Sequence, residues 1–220
     1  MRQDLIPGNL FPDIELPDHT GMVVKLSDLM RGWPTIVTFA RGLHCREDRR
    51  QLTNYAKYLY PDLMVSYCNL ITVSVEDYLR TLELRESVGA FWPFLCDFDR
   101  KLIDELEIVD RTDEQYSPLA LPYTFVLHAD RRIYKVYDGW WYAGRPTSDE
   151  LIHDLREVRS LQPDWGYPVS NPPMTEPPEA LRPGRIFPDF ELPNHDGERV
   201  RLSQLVEGWP TALHFIRGHY

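Results

Sequence analysis

Residues 34 to 60 read PTIVTFARGLHCREDRRQLTNYAKYLY. The first part, Pro34 to Ala40, is a continuous apolar, β-branched run, the pattern of a strand covered on both faces and therefore central in its sheet. Past the turn, Leu52, Tyr55, Ala56 and Leu59 recur at helical spacing, which predicts a helix that starts near Cys45 and ends before Pro61. A buried strand feeding a helix directly is a βα unit, and this one carries a cysteine where its helix begins.

The alternation continues on both sides. Downstream, Met64 to Val75 reads as a second buried strand, followed by a helix from Glu76 that is closed by Gly89. Pro93 to Asp97 gives a short strand, and FDRKLIDELEI a helix with Leu102, Ile103 and Leu106 inward. Tyr123 to Gly139 reads as a hairpin turning on Ala129, Asp130 and Arg131, and Thr147 with Glu150 forms a capping box for a final helix to Ser160. Upstream, Phe11 to Leu29 reads as a hairpin of short edge strands whose turn is His19, Thr20 and Gly21. Ser27 then caps one helical turn before Gly32. Paired βα units with a ββα ending describe an α/β protein of the thioredoxin type, a central mixed sheet flanked by helices, with one βα inserted.

The opening segment occurs twice. Sliding the chain by 176 positions aligns Pro7–His44 with Pro183–Tyr220 without a gap and with 21 of 38 residues identical, against roughly two or three from composition alone. The organisation expected is a thioredoxin-like domain over 1–166, a linker over 167–182 and an incomplete second copy over 183–220. Closely spaced prolines keep the linker extended and stiff. The second copy stops at Arg217 to Tyr220, where the first continues with Cys45. A truncated gene or an expression boundary is the expected reason; an in-frame UGA codon, which can encode selenocysteine or arise from a nonsense mutation, is the alternative that downstream DNA would decide.

Composition narrows the function classes. The chain has 220 residues, 43% of them hydrophobic, and a net charge of −10 from 34 acidic against 24 basic side chains. Such a surface repels phosphate backbones and anionic membranes, so neither nucleic acid nor membrane is expected as a partner. With no signal-peptide run and no apolar stretch near the roughly 20 residues of a membrane span, the expected location is the cytoplasm. Three cysteines, Cys45, Cys68 and Cys96, are too few and too scattered for a disulfide framework.

Four stretches together resemble the alkyl hydroperoxide reductase and thiol-specific antioxidant family, the peroxiredoxin-like branch of the thioredoxin superfamily. They are PGNLFPDIELPDHTG, PTIVTFARGLHC, WPFLCDFDRKLIDELEI and LPYTFVLHADRRIYKVYDG, in order and spacing over most of Ile6 to Ser160. The active-site turn departs from the family. With Phe39 aligned, the proline, threonine and peroxide-attacking cysteine of P-x-x-x-T-x-x-C fall on Arg41, Cys45 and Asp48. A related group with R-G-x-x-C-x-x-C is matched by Arg41, Gly42 and Cys45, with Asp48 in place of its second cysteine. The resemblance thus implies a monothiol C-x-x-D site, and it excludes turnover by a cysteine at position 48.

Cys45 is the expected nucleophile. A thiol at a helix start feels the positive end of the backbone dipole, and Arg41, Arg46, Arg49 and Arg50 lie close in sequence, so the expectation is a thiolate with its pKa below the free value of about 8.5. A buried, inert cysteine is the alternative. Asp48, three residues on, is placed to pass a proton through a water, or simply to complement the dipole. His44 is a possible ion-pair partner or an ordinary turn residue. Pro122 matches the thioredoxin proline held cis beside the active cysteine; peroxiredoxins usually carry a peroxide-polarising arginine there, for which Arg41 is a partial substitute or else a surface ion-pair residue. Cys68 and Cys96 read as packing residues, with Cys96 as a resolving cysteine the minor option. Trp140, Trp141 and Tyr142 cover a core edge or a homodimer contact. No cofactor is called for, and His214 with His219 is too weak a pair to assign a metal.

The expected function is a thiol-dependent oxidoreductase. Cys45 attacks a peroxide or disulfide, and a low-molecular-weight thiol or a thioredoxin-like reductant resolves the product. The competing expectation is a non-catalytic binding or regulatory module that keeps the fold.

Overall fold

The computed structural model describes residues 1–139, 144–161 and 179–215. The chain divides into two units between residues 165 and 166. The proposed linker lies outside the described residues except for 179–182, and Trp140, Trp141, Tyr142 and His219 lie wholly outside them.

The first unit is built on five strands: β3 (Thr35–Ala40), β4 (Asn69–Ser74), β5 (Phe94–Cys96), β8 (Thr124–Leu127) and β9 (Ile133–Tyr137). Their order is β5-β4-β3-β8-β9; β3, β4 and β5 run parallel, while β8 is antiparallel to both β3 and β9. All six residues of β3 are buried, as its apolar run requires. Alternate residues serve opposite faces. Val37 and Phe39 meet Phe11, Leu26, Phe125 and Ile103, whereas Ile36 and Ala40 meet Leu52, Tyr55, Leu84 and Leu155. Helices α1 (Leu26–Met30) and α5 (Lys101–Glu105) cover the first face; α2 (Arg46–Asn54), α3 (Tyr60–Ser66), α4 (Tyr78–Ser87) and α6 (Ser148–Ser160) cover the second. A small hairpin, β1 (Glu15–Pro17) with β2 (Val23–Lys25), precedes α1.

Several elements differ from the sequence reading. The helix after Cys45 does not end before Pro61: a π-helical turn, Tyr55–Leu59, joins α2 to α3. Pro61 falls in the first turn of α3, where a missing N–H is tolerated, and the wider turn ahead of it relieves the ring's usual clash. Met64 to Ser66 are therefore helical, and β4 starts only at Asn69, after Tyr67 takes a left-handed conformation at φ 54°. Ser27 does not cap α1. The helix starts after Lys25, and the Asp13 carboxylate accepts the Ser27 N–H at 2.9 Å. One ladder was not anticipated, β6 (Val109–Asp110) with β7 (Leu119–Ala120). The Thr147–Glu150 capping box on α6 is present, both reciprocal bonds being made.

The second unit contains a turn of 3-10 helix, Glu179–Leu181, then β10 (Glu191–Pro193), β11 (Arg199–Arg201) and α7 (Leu202–Val206). Its hairpin pairs Glu191 with Arg201 and Leu192 with Val200, the register of Glu15 with Lys25 and Leu16 with Val24 moved on by 176 positions. The flanking bonds recur as well. Ile14 O accepts from Leu26 N and Phe190 O from Leu202 N, both at 2.9 Å, and Asp189 receives the Ser203 N–H as Asp13 receives that of Ser27. Phe187 and Phe215, counterparts of the buried Phe11 and Phe39, are exposed.

Candidate active site

The β3–α2 turn is fixed by where its strands end. Ala40 pairs with Ser74 at the carboxyl ends of β3 and β4, so the residues two beyond each, Gly42 and Glu76, emerge side by side. Gly42 sits at φ 125°, a backbone region open in practice to glycine. Its carbonyl accepts the Cys45 N–H at 3.1 Å, and Cys45 is the N-cap of α2, its own carbonyl accepting from Arg49 N at 3.2 Å. Two carboxylates hold the turn from behind. Asp48 Oδ2 accepts the Arg41 N–H at 2.5 Å, and Glu76 Oε2 accepts the Leu43 N–H at 2.8 Å. The His44 ring stacks on Tyr116, with centroids 3.9 Å apart.

Asp48 is 1% exposed and does not face the solvent. Its Oδ1 lies 2.5 Å from Nη1 of Arg145, a charge contact without an aligned hydrogen bond at that oxygen. The same Nη1 donates to Gln51 Oε1 at 2.6 Å; Gln51 in turn donates to the Tyr55 hydroxyl, which donates to the Pro146 carbonyl at 2.9 Å. This buried chain ties the first turns of α2 to the start of α6. It keeps the Asp48 carboxylate buried, Oδ2 bonded to the Arg41 N–H and Oδ1 against the Arg145 charge.

Cys45 is partly exposed and opens on a cleft of about 540 Å³ whose walls include Arg41, Val109, Leu121, Pro122 and Arg145. The structure thus gathers Cys45, Arg41 and Pro122 at one cleft and places Asp48 behind it. Cys96 lines a separate cleft beside Pro12 and Leu102, and Cys68 is buried, so neither shares the Cys45 site.

Two expectations need correction. The Cys45 thiol is pushed up, not down: burial comes first and the Asp48 carboxylate second, and they outweigh the amides of Asp48 and Glu47 and the Arg145 charge. The helix-end effect is present but too small. Arg41 is spent elsewhere, on Asp110 at 3.1 Å and Asp113 at 3.7 Å. The second correction concerns Pro122, whose peptide bond is not cis; among the described residues the cis bond is Ser117–Pro118. Pro122 is the central residue of a γ-turn, Tyr123 N donating to Leu121 O at 2.7 Å, while Leu121 N donates to Ile108 O at 2.7 Å.

Arg145 and Glu76 escaped the sequence reading. Arg145 lies in an irregular segment 97 positions from Asp48, with no periodicity to single it out. Glu76 had a usable signal, its position just past the end of a parallel strand beside β3. Among the described residues no group of His, Cys, Asp and Glu is arranged to hold a metal, and no helix is long and apolar enough to cross a membrane.

Similar structures share this architecture. Peroxidoxin BcpB from Mycobacterium tuberculosis superposes with a TM-score of 0.59 at 19% identity, over 71% of this chain and 97% of its own. AhpC from Enterococcus faecalis gives 0.59 at 18% identity over 70% and 92%, and peroxiredoxin 6 from Arenicola marina 0.58 at 19% identity over 79% and 80%. No curated protein matches the sequence. At these identities the likeness establishes the thioredoxin-type fold of peroxiredoxins. Residues 7–136 match the AhpC/TSA family, and the chain belongs to it.

Proposed function

We propose that the protein is a thiol-dependent oxidoreductase in which Cys45 is the nucleophile and an external thiol is the reductant. Membership of the AhpC/TSA family and the peroxiredoxin-like fold support thiol-dependent, peroxidase-type chemistry. The observation that carries the assignment to Cys45 is that, among the described residues, it is the cysteine that opens on the cleft beside Arg145 and Pro122.

In the proposed cycle Cys45 loses its proton to solvent and its sulfur attacks one peroxide oxygen. The O–O bond breaks as the S–O bond forms, and the leaving oxygen takes a proton to give an alcohol or water. A thiol then displaces water from the sulfenic acid to form a mixed disulfide, and a second thiol attacks that disulfide and restores the Cys45 thiol. With Cys68 and Cys96 outside the cleft, the resolving thiol comes from a small molecule or a thioredoxin-like protein. A disulfide substrate would enter at the mixed-disulfide stage.

The test is peroxide-dependent oxidation of an added thiol by the wild type and by Cys45→Ser. Loss of turnover in the variant, with a sulfenic adduct on wild-type Cys45 in mass spectra, supports the reading. A Cys45 sulfur that stays unmodified in the native state overturns it. The non-catalytic reading rests on one specific observation, the buried Asp48 carboxylate at the aligned position of the attacking cysteine, and predicts that unmodified sulfur.

A further inference from the structure

The geometry points to Glu76 as a positioning residue for Cys45, the acceptor that fixes the R-G-x-x-C turn in its reactive shape. This rests on the reading of Cys45 as nucleophile. Glu76 is not on the helix that carries the cysteine; it follows β4, and the pairing of Ala40 with Ser74 delivers it to the turn. Its Oε2 takes the Leu43 N–H at 2.8 Å, one of the donors left without a ladder partner once β3 has ended. The rest of the carboxylate packs on Gly42. A methyl group there would lie 2.8 Å from Glu76 Cδ and 2.9 Å from Oε1, closer than atoms tolerate.

Gly42 therefore meets two demands together, a φ of 125° and the close approach of Glu76. Its carbonyl in turn receives the Cys45 N–H, so the carboxylate, the glycine and the cysteine form one connected unit. Glu76 is itself seated by its neighbours: its N–H donates to Ser74 Oγ at 3.3 Å, and its carbonyl accepts from the Thr81 hydroxyl at 3.3 Å. Arg80 forms a long ion pair with the Glu76 carboxylate, 3.9 Å, from an exposed side chain and compensates little. Burial raises the Glu76 carboxyl first, against the Leu43 bond and the charges of His44 and Arg80. A largely buried carboxylate whose ion pair with Arg80 is long and solvent-exposed gains little stability from that charge, and its position over the turn is what it contributes.

The test compares Glu76→Ala, which removes the acceptor, with Glu76→Gln, which keeps an amide oxygen in its place. Two quantities are read in the full chain: amide hydrogen exchange at Leu43, and the pH profile of Cys45 alkylation by iodoacetamide. Glu76→Ala should speed Leu43 exchange and slow Cys45 alkylation by about tenfold each, the scale of one lost hydrogen bond, with a displaced pH midpoint. Glu76→Gln should restore both to within about twofold. Unchanged Leu43 exchange in Glu76→Ala overturns the proposal, as do equal losses in Ala and Gln. A wild-type Cys45 that no alkylating agent reaches at any pH defeats the nucleophile reading instead, and Leu43 exchange still reports on Glu76.

Discussion

The Asp48 carboxylate lies 2.5 Å from the Arg145 guanidinium, with Asp48 1% and the Arg145 side chain 12% exposed. A buried pair of this kind resists the removal of one partner, because the other is left charged in a poor solvent. Asp48→Asn keeps an oxygen for the Arg41 N–H but should lower stability by about 3 kcal/mol in chemical denaturation. It also removes the negative charge that raises Cys45, so the thiol pKa should fall and alkylation at neutral pH should quicken several-fold. An unaltered pH profile of alkylation would show that Asp48 is not the charge Cys45 feels.

Asp48→Cys makes a different prediction. Residues three apart in the first turn of a helix lie within reach of a disulfide, and the change restores the second thiol of C-x-x-C. The fully reduced variant should titrate four thiols, one more than the three of the wild type, and mild oxidation should remove two. Four free thiols after oxidation would mean that the first turn of α2 cannot bend to close the bond.

At Gly42 the obstacle is both conformational and steric. Gly42→Ala forces a side chain into φ 125° and against Glu76, which should cost about 1–3 kcal/mol and slow Cys45 labelling. Thermal melting with thiol labelling checks both, and a wild-type rate in a folded variant would show that Cys45 does not depend on the close approach of Glu76 to Gly42.

The three thiols should separate cleanly by pH. Burial raises all of them, Cys68 to about 12, while Cys45 alone among them is partly exposed. Native protein should therefore label at one site, at a rate still climbing above pH 9 as thiolate accumulates. Since the folded state keeps these protons longer than the unfolded chain, stability should fall as pH rises past the ordinary thiol value of about 8.5. A labelling plateau below pH 8 would contradict the raised Cys45.

The central strand was legible because burial on two faces leaves an apolar, β-branched run, Thr35–Ala40; its neighbour was legible as well, but it reads as starting at Met64 where the strand begins at Asn69. The capping box of Thr147 and Glu150 was legible because both residues are local. Pro61 misled because proline's exclusion holds for helix interiors, and the π turn before it makes a new beginning. The site divided along the same line. Cys45, Arg41 and Pro122 were traced to one cleft through motifs. The charge balance at Cys45 was misread because its deciding contributions are burial and a carboxylate turned inward, and Arg145 reaches that carboxylate from another part of the chain. Neighbouring arginines in the sequence said nothing of where their heads would go; Arg41 chose Asp110.

The twice-written hairpin bears on the order of folding events. Its bonds recur in a setting where Phe187 and Phe215 find no core, so its register comes from nearby residues and not from the sheet it accompanies. Such a piece closes on the scale of about 1–10 μs. The pairing of Thr35 with Leu127 instead brings together positions 92 apart, and the entropy of that long closure must be met before any contact rewards it. Refolding speed should accordingly respond to substitutions in β3 and β8 and hardly at all to changes in the hairpin, which stopped-flow measurements on Phe125→Ala and Val24→Ala would separate. On this expectation the slow step is the meeting of the two halves of the first unit and not the closing of the hairpin.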